Sequence, residues 1–560
     1  MNKGNERLSK LGRYEKIIPF FALFLLALSL PSLALLQNEM DCDSDPNALS
    51  ASLRDEIEHE VCISERLHIV VMGASGDLAK KKIYPSLFNL FKNGFLPKET
   101  WVVGYARSKM SAEDLHKRFR DNLKVNDEEE RAKVAEFLSI CKYVYGPYDE
   151  EEGYVKLNKT IRENEVAGEP KDCKKHHNRM FYLALPASVF VTVSKGIKGN
   201  AMAVDGFTRV VVEKPFGHDL ESSNELSEQL KQIFREDQLY RIDHYLGKEM
   251  VQNLLTLRFG NRLFQHSWTR GAISSVTITQ KEPFGTMGRG GYFDNYGIIR
   301  DIMQNHLTQI FSLIAMDQPV GTSAEDVRDM KVQVLKSTKV VTMDDVVLGQ
   351  YVKSSKPNAT GDALYGYKDD ETVPKDSVTP TFAMAVLHVH NQRWDGVPFI
   401  LKCGKALNER KVEIRIQFTE VPGKIIEDAT RNELVMRVQP DEAIYMKMSI
   451  KRPGLKMHST QTELDLNYNT RYADVHMPDA YERLLLEVMI GEQHNFVRTD
   501  ELEQAWRIFT PILKEIEASS TKPIEYEYGS RGPVEADELA ARYGYVRSGG
   551  SGYKYKWGGC

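Results

Sequence analysis

In the first half of the chain, short apolar runs alternate with longer charged stretches. The run RLHIVVM is followed by glycines and then by apolar residues at helical spacing, which predicts a strand, a turn and a helix. Similar apolar runs occur at 100–107, 181–186 and 208–217. Buried parallel strands covered by helices give this pattern, so we predict an N-terminal doubly wound α/β domain.

After Arg241 the pattern changes, because apolar and polar residues alternate one by one. The alternation is present at 276–280, 411–418, 433–439 and 443–450. It predicts a C-terminal α+β domain built on a large, mainly antiparallel sheet with one face on a core and the other free. The predicted division is an N-terminal extension (1–65), a doubly wound domain (66–243), an α+β domain (244–545) and a Gly- and Tyr-rich tail (546–560).

An uncharged segment from Ile17 to Leu36 interrupts this soluble pattern. Its length is about that of a membrane span, with cations before it and acids after it, as in a signal peptide or an anchor with a cytosolic N-terminus. The alternative is that the segment is an upstream extension and that Met40 starts the working protein. The residues alone leave both interpretations open.

The composition is that of an ordinary globular protein. The 560 residues are 42% apolar and 27% charged, which is enough for two domains. A net charge of −5 gives no general case for nucleic acid, so an anion site has to come from local clusters of Lys and Arg. The six cysteines are scattered without a CxxC pair, which indicates free thiols and no metal site.

A Gly-rich loop lies between the first predicted strand and helix. Small residues let a pyrophosphate approach the backbone, and the helix N-terminus stabilises its charge. The alternative is a plain tight turn, since the full GxGxxG spacing is missing. The predicted cofactor loop consists of Gly73, Ala74, Ser75, Gly76, Asp77 and Leu78.

The end of the second predicted strand indicates which dinucleotide is bound. An acidic residue there would hold the ribose of NAD, whereas a cation accommodates the 2′-phosphate of NADP. The chain has Arg107 at this position, with Lys109 beside it. We therefore predict NADP as the cofactor.

Six motifs in order carry a family resemblance. They are GASGDLAKKKIYP, EKPFG, RIDHYLGKE, GGYFDNYGIIRDIMQNHL, RWDGVPFILKCGKALNERK and YGSRGPVEADEL. From about Leu67 to Trp557 the chain resembles the glucose-6-phosphate dehydrogenases. The resemblance implies oxidation of glucose 6-phosphate to its lactone with formation of NADPH, the entry step of the pentose phosphate pathway.

The resemblance also implies residue roles. His306 is expected to be the general base, and Asp243 orients it and stabilises its charge. Asp301 is a less suitable partner for His306, since on an α-helix the two point about 140° apart. The expected substrate contacts are Lys214, which also touches the cofactor, His244, Tyr245 and Lys248 at the sugar phosphate, and Glu282, Asp301, Lys405, Arg410 and Gln439.

The alternating strands of the second half carry cations in phase, with little acidic compensation beyond Glu413. A solvated sheet face is the ordinary meaning of such a pattern. The family resemblance implies instead a second, structural NADP. Its expected contacts are Lys402, Lys411, Arg415, Arg437, Tyr445, Lys447, Asp465, Arg531 and Trp557. Two residues depart from the family pattern, since Lys402 replaces a common Arg and Arg547 a common Tyr.

Two other functions stay open. The apolar N-terminus would suit a hexose-6-phosphate dehydrogenase of the endoplasmic reticulum, although the lactonase domain of that class has no room here. A catalytically silent NADP-binding protein would be expected to lack Asp243 or His306. The resemblance favours a cytosolic homodimer or tetramer that binds glucose 6-phosphate and contacts a membrane only if 17–36 is used.

Overall fold

The computed structural model describes residues 66–123, 125, 127–166, 176–286, 288–472 and 477–547. The predicted extension, its apolar segment at 17–36 and the end of the tail lie outside these residues. Among the helices within these ranges, none is both long and apolar enough to cross a membrane.

A six-stranded parallel sheet forms the first part of the described chain. Its strands are β1 Arg66–Met72, β2 Glu99–Ala106, β3 Cys141–Tyr145, β4 His177–Leu183, β5 Thr208–Val212 and β6 Leu239–Arg241. They lie in the order β3-β2-β1-β4-β5-β6, and every pairing is parallel. β1 and β4 are buried along their whole length, as strands between two helical layers must be. The predicted doubly wound fold is confirmed.

Helices follow most of these strands. They are α1 Tyr84–Lys92, α2 Ala112–Arg120, α3 Glu128–Ser139, α4 Glu151–Val166, α5 Phe190–Asn200 and α6 Leu220–Lys231, and a π-helical turn, Ala79–Ile83, leads into α1. Side-chain caps start several of them: Ser111 and Asp114 form a capping box on α2, and Asp219 and Ser222 form one on α6.

A nine-stranded mixed sheet dominates the second part. Its strands are β7 Ile273–Lys281, β8 Val346–Val352, β9 Phe382–His388, β10 Pro398–Gly404, β11 Lys411–Phe418, β12 Glu433–Gln439, β13 Ala443–Lys451, β14 Ser459–Asn467 and β15 Ile524–Glu527. The order is β14-β13-β12-β11-β7-β10-β9-β8-β15. Only the β7–β10 and β8–β15 pairings in this described sheet are parallel. The predicted mainly antiparallel sheet is confirmed.

The helices of this part pack around the sheet. They are α7 Glu249–Phe259, α8 Arg262–Ser267, α9 Gly290–Asp294, α10 Thr308–Ala315, α11 Ala324–Lys336, α12 Tyr468–Arg471, α13 Ala480–Ile490, α14 Thr499–Ser519 and α15 Val534–Arg542. Directly before α10, residues Ile299–Leu307 form a π-helix, which we call the π segment. Such turns are rare and are frequent at functional sites.

One expectation about the second sheet was wrong. The polar face of β11, β12 and β13 is not solvated: Glu413, Glu433 and Lys447 are 3%, 1% and 6% exposed. α15 and the chain after it cover this face, and the Gln417 amide donates to the Val546 carbonyl there. Strand alternation cannot reveal a cover that comes from a distant part of the chain.

Candidate active site

The Gly-rich loop forms a sharp turn at the carboxyl end of β1. The Gly76 N–H donates to the Gly73 carbonyl at 2.9 Å, and the Gly73 N–H donates to the Tyr105 carbonyl at 2.8 Å. Gly73 has a φ of +86°, and a Cβ added there would lie 2.4 Å from the Ala184 carbonyl oxygen. Only glycine fits this position, and its bare backbone leaves the close approach that a pyrophosphate needs.

Arg107 follows β2 directly and is exposed. Its guanidinium lies over the Tyr148 ring, 5.2 Å from the ring centroid. Next to it, the Ser108 hydroxyl donates to the Ser75 hydroxyl at 3.1 Å, so the ends of β1 and β2 are tied together. A cation thus lies beside the loop at the edge where doubly wound sheets bind ligands.

His306 and Asp243 form a buried pair. Asp243 follows β6, and His306 lies near the end of the π segment. The His306 Nδ1 donates to Asp243 Oδ1 at 2.5 Å, and the two side chains are 4% and 3% exposed. An ionised carboxylate only accepts, so the proton is assigned to Nδ1 and Nε2 keeps its lone pair.

Lys214 brings a cation to that lone pair. It follows β5, and its Nζ lies 3.1 Å from His306 Nε2 and donates to the Asp301 carbonyl oxygen at 2.8 Å. The α-helical angle between residues 301 and 306 does not apply, because both lie in the π segment. Lys214 therefore contacts both residues, although His306 still takes Asp243 as its carboxylate partner. Below, the polar cluster means Lys214, Asp243, His244, Asp301 and His306.

Burial and charge set the protonation states of the pair. Burial lowers the pKa of His306, and the Asp243 carboxylate only partly opposes this, so the ring is neutral near pH 7. Burial alone would raise the pKa of Asp243, but His306 outweighs it and the net pKa is lowered. The cluster thus presents a neutral imidazole held by an anion, as a general base requires.

A second carboxylate is held by two lysines. Burial would raise the pKa of Asp301, but Lys214 and Lys405 lower it to about 2. Lys405 follows β10, and its Nζ lies 2.7 Å from Glu282 Oε2 and 3.5 Å from Asp301 Oδ2. Glu282 follows β7, so three strand ends place acceptors and donors for sugar hydroxyls in one place.

Next to the polar cluster is a group of phosphate-type donors. The Tyr245 ring stacks on His306 with centroids 4.3 Å apart, and the His244 ring meets His306 edge-on at 4.7 Å. The Lys248 Nζ donates to Gln439 Oε1 at 2.7 Å. Arg410 is close enough to shift the pKa of both Tyr245 and Lys248. The predicted substrate residues thus come from distant parts of the chain to one region.

A cleft of about 490 Å³ opens beside Lys214, Asp301 and Lys405. Sequence reasoning did not single out several of its lining residues, namely Lys81, Arg289, Tyr292, Tyr296 and Asn305. Arg289 also reaches Asp77 of the Gly-rich loop at 3.2 Å. Lys81 could have been found from its place one turn after the loop, whereas the others depend on how the π segment and α9 pack.

Family models now decide the identity of the chain. "Glucose-6-phosphate dehydrogenase, NAD binding domain" matches residues 70–253, and "Glucose-6-phosphate dehydrogenase, C-terminal domain" matches residues 255–557. The chain belongs to the glucose-6-phosphate dehydrogenase family. The parallel sheet of this family member accordingly binds a nicotinamide dinucleotide.

Curated relatives agree. The glucose-6-phosphate 1-dehydrogenase of Caenorhabditis elegans is 53% identical over 519 residues, covering 92% of this chain and 98% of the relative. That of Takifugu rubripes is 55% identical over 489 residues, covering 87% and 90%. The described fold is therefore expected over nearly the whole length of these proteins.

Solved structures show the same fold. A glucose-6-phosphate dehydrogenase in complex with its substrate glucose-6-phosphate superposes with a TM-score of 0.82 at 49% identity, covering 87% of this chain and 99% of that one. The Mycobacterium avium enzyme superposes with a TM-score of 0.72 at 31% identity, covering 85% and 96%.

The family member has a second cavity of about 460 Å³ on the covered face of its mixed sheet. Among the described residues, nine Lys and Arg side chains and three Glu and Asp side chains line it. Of the residues predicted for a second NADP, those that line it are Lys402, Lys411, Arg415, Arg437, Tyr445, Lys447 and Arg531. Asp465 is exposed on β14 opposite Tyr445 and does not line it, and Trp557 lies outside the described residues.

Acidic compensation in this cavity is larger than the sequence suggested. Arg415 contacts Glu413 at 2.6 Å and Glu433 at 2.7 Å, Lys411 contacts Glu409 at 3.1 Å, and Arg531 contacts Asp537 at 3.2 Å. The expectation of little compensation beyond Glu413 was wrong, since register and α15 supply the other acids. Arg547 and the unpredicted Tyr545 also line the cavity.

The described cysteines and the possible metal ligands add no further site. Cys141 and Cys403 are free and buried, and the other four cysteines lie outside the described residues. Within the described ranges, the one group of side chains close enough to share a metal ion is Asp243, His244 and His306. These residues already form the polar cluster, and the prediction of no metal stays a prediction.

Proposed function

We propose that this chain oxidises D-glucose 6-phosphate to 6-phospho-D-glucono-1,5-lactone with formation of NADPH, the entry step of the oxidative pentose phosphate pathway. The observation that carries the proposal is the His306–Asp243 pair at the carboxyl edge of the parallel sheet. A relative at 49% identity binds glucose-6-phosphate in its solved structure, which supports the same substrate here.

The residues of the polar cluster have different roles in the proposed reaction. His306 Nε2 takes the proton of the C1 hydroxyl, and Asp243 holds the ring in the required tautomer and stabilises the imidazolium that forms. Bound NADP supplies the hydride acceptor at its nicotinamide ring. Lys214 and Asp301 orient the sugar from the same edge, together with Glu282 and Lys405.

The phosphate group of the substrate has its own donors. Tyr245 and Lys248 lie side by side, with Lys248 Nζ 5.1 Å from the Tyr245 ring centroid. His244 adds a neutral donor, because burial holds its pKa well below the ordinary value. Gln439 and Arg410 complete this donor set, which suits a dianion.

We infer NADP rather than NAD as the cofactor. Arg107 is exposed at the end of β2, where the 2′-phosphate of NADP lies in doubly wound sheets. The bare Gly73 backbone fits the pyrophosphate of either cofactor.

A second, structural NADP is proposed for the cationic cavity. The excess of cations, Tyr545 and the burial of the sheet face support a bound polyanion of dinucleotide size. The lining residues of the proposed site are Lys402, Lys411, Arg415, Arg437, Tyr445, Lys447 and Arg531.

A homodimer, which can associate further to a tetramer, is proposed to form through the β13–β14 hairpin of the C-terminal sheet. Met448, Ile450, Leu464 and Leu466 are 38%, 47%, 62% and 38% exposed and lie on one face of it. Exposed apolar patches of this kind mark interaction surfaces.

The proposed subcellular localisation is the cytosol. An Arabidopsis thaliana relative that is 53% identical over 491 residues is named cytoplasmic. A reporter fused to residues 1–65 tests this localisation: diffuse cytosolic signal is expected, and signal in the endoplasmic reticulum would revive the hexose-6-phosphate dehydrogenase alternative.

The activity is tested by following reduced nicotinamide formation with glucose 6-phosphate and, as control, with glucose. Turnover with the phosphorylated sugar and a much lower kcat/KM with glucose are expected. Clean folding without turnover on either sugar would favour the silent dinucleotide-binding protein.

A further inference from the structure

A buried carboxyl group lies directly behind the polar cluster and takes no part in the proposed proton transfer. Glu213 follows β5 and precedes Lys214, and it is 7% exposed. The Tyr182 hydroxyl of β4 donates to Glu213 Oε1 at 2.6 Å, and the Lys214 backbone N–H donates to the same carboxyl group. The strand end that carries Lys214 is therefore tied to this carboxyl.

Among the described residues, titratable side chains on several elements lie close to Glu213. Tyr182 faces it from β4, Lys214 from its own strand, Asp243 from the end of β6 and Tyr481 from α13. Burial raises the pKa of Glu213 to about 7, while the Tyr182 hydrogen bond and the Lys214 charge oppose that rise. The carboxyl group therefore changes its charge in the neutral range.

Two paths connect this charge to the substrate region. The first path runs through Lys214, which follows Glu213 in the chain and whose Nζ lies 3.1 Å from His306 Nε2. Tyr481 is close enough to Glu213 for the carboxylate to raise its pKa, and its ring lies parallel to that of His244, with centroids 5.6 Å apart and planes 8° apart. A negative charge at Glu213 thus lies behind Tyr481 and His244, and His244 is one of the residues proposed to hold the dianionic phosphate.

We propose that Glu213 is a positioning residue that couples glucose 6-phosphate binding to protonation of its own carboxyl group. The neutral carboxyl holds the Lys214 strand end without adding an anion, whereas the carboxylate repels the sugar phosphate through a low-dielectric interior. This inference rests on the proposed function.

The test compares the pH dependence of kcat and kcat/KM in three forms of the full chain. In the wild type, kcat/KM for glucose 6-phosphate is expected to fall by about tenfold through an ionisation in the neutral range, with kcat much less affected. Glu213→Gln is expected to lose this ionisation. Tyr182→Phe removes a donor that lowers the carboxyl pKa, so the ionisation is expected to move to higher pH.

Glu487→Gln is the matched control. Glu487 is also buried with a raised pKa, but it contacts Asn495 and Gln252 rather than the polar cluster. Its replacement is expected to leave the wild-type ionisation in place.

An unchanged ionisation in both Glu213→Gln and Tyr182→Phe would overturn the inference. If Glu213→Gln does not fold, Tyr182→Phe decides, because it removes one oxygen atom and leaves the charge. A wild-type chain without turnover on glucose 6-phosphate would instead overturn the proposed function.

Discussion

At the residue scale, His306 depends on groups that reach it from three other chain positions. Asp243 fixes its tautomer, Lys214 donates to its free nitrogen, and Tyr245 stacks on its ring at 4.3 Å. Because burial and Lys214 both disfavour the imidazolium, Asp243 is what keeps the ring basic enough to accept a proton.

Arg107 provides a test of cofactor choice. Arg107→Ala is expected to weaken NADP binding by about 10-fold or more while leaving NAD binding nearly unchanged, since the lost contact is a charge-assisted one to the 2′-phosphate. Calorimetric titration with both dinucleotides measures the difference. Lys198→Ala, at the exposed end of α5, is the control. Equal losses for NADP and NAD would remove Arg107 from this role.

The sequence predicts individual site residues where the local pattern alone determines their position. Gly73 and Arg107 follow predicted strands, so a known rule of doubly wound sheets places them at one edge. Pairing His306 with Asp243 needed the family resemblance, because the two are 63 residues apart. Arg289 and Tyr292 were missed, since no periodicity shows which side of a π segment faces a cleft.

At the element scale, the turn after β1 is the most demanding piece of backbone. Gly73→Ala is expected to destabilise the fold and to weaken dinucleotide binding, because it combines a left-handed φ with a contact of 2.4 Å to the Ala184 carbonyl. Chemical denaturation and calorimetry measure the two effects.

Gly94→Ala is the matched control for that turn. Gly94 also has a positive φ, +74°, but an added Cβ would meet nothing within 4 Å. It is expected to cost about 1 kcal/mol of unfolding free energy and to leave dinucleotide binding unchanged. Equal effects of the two substitutions would mean that φ alone, rather than the close approach, requires glycine at residue 73.

The covered face of β11, β12 and β13 carries a prediction about the second dinucleotide. Arg531→Ala is expected to lower the number of NADP molecules bound per chain from two to one and to reduce the thermal stabilisation by NADP, while kcat stays near the wild-type value. Native mass spectrometry and melting curves measure this. Arg542→Ala, at the exposed end of α15, should change neither. Two NADP molecules still bound to Arg531→Ala would contradict the site.

Some features of the strands and helices cannot be predicted from the sequence pattern. Alternation correctly predicted β11, β12 and β13, yet it gave no sign that α15 covers their polar face. The sequence predicts an α-helix where the π segment lies, because apolar spacing alone does not separate 3.6 residues per turn from a wider turn. The short β3 and β6 were not predicted, since five and three residues carry too little pattern.

At the scale of the whole molecule, the two faces of β13 and β14 have different surroundings. One face contributes Tyr445 and Lys447 to the cationic cavity, whereas the other exposes Leu464 and Ile450. Formation of a homodimer would cover the apolar face and would hold the hairpin against the cavity. Oligomeric state and the second dinucleotide are therefore expected to depend on each other.

Leu464→Glu tests this arrangement. A charge in the centre of the proposed interface is expected to weaken association by about 10-fold or more, as buried unpaired charges do. Sedimentation equilibrium measures the effect. Leu263→Glu is the control, because Leu263 is 71% exposed on α8, away from the hairpin. A Leu464→Glu chain that associates like the wild type would place the interface elsewhere.

The most direct test of the whole account is His306→Asn, measured for kcat and for glucose 6-phosphate affinity, with His388→Asn as a matched control outside the polar cluster. Loss of the base is expected to lower kcat by about 10²- to 10⁴-fold while the dissociation constant of the substrate changes little. His388→Asn is expected to retain activity. Near-normal turnover in His306→Asn would contradict the assignment of His306 as the base.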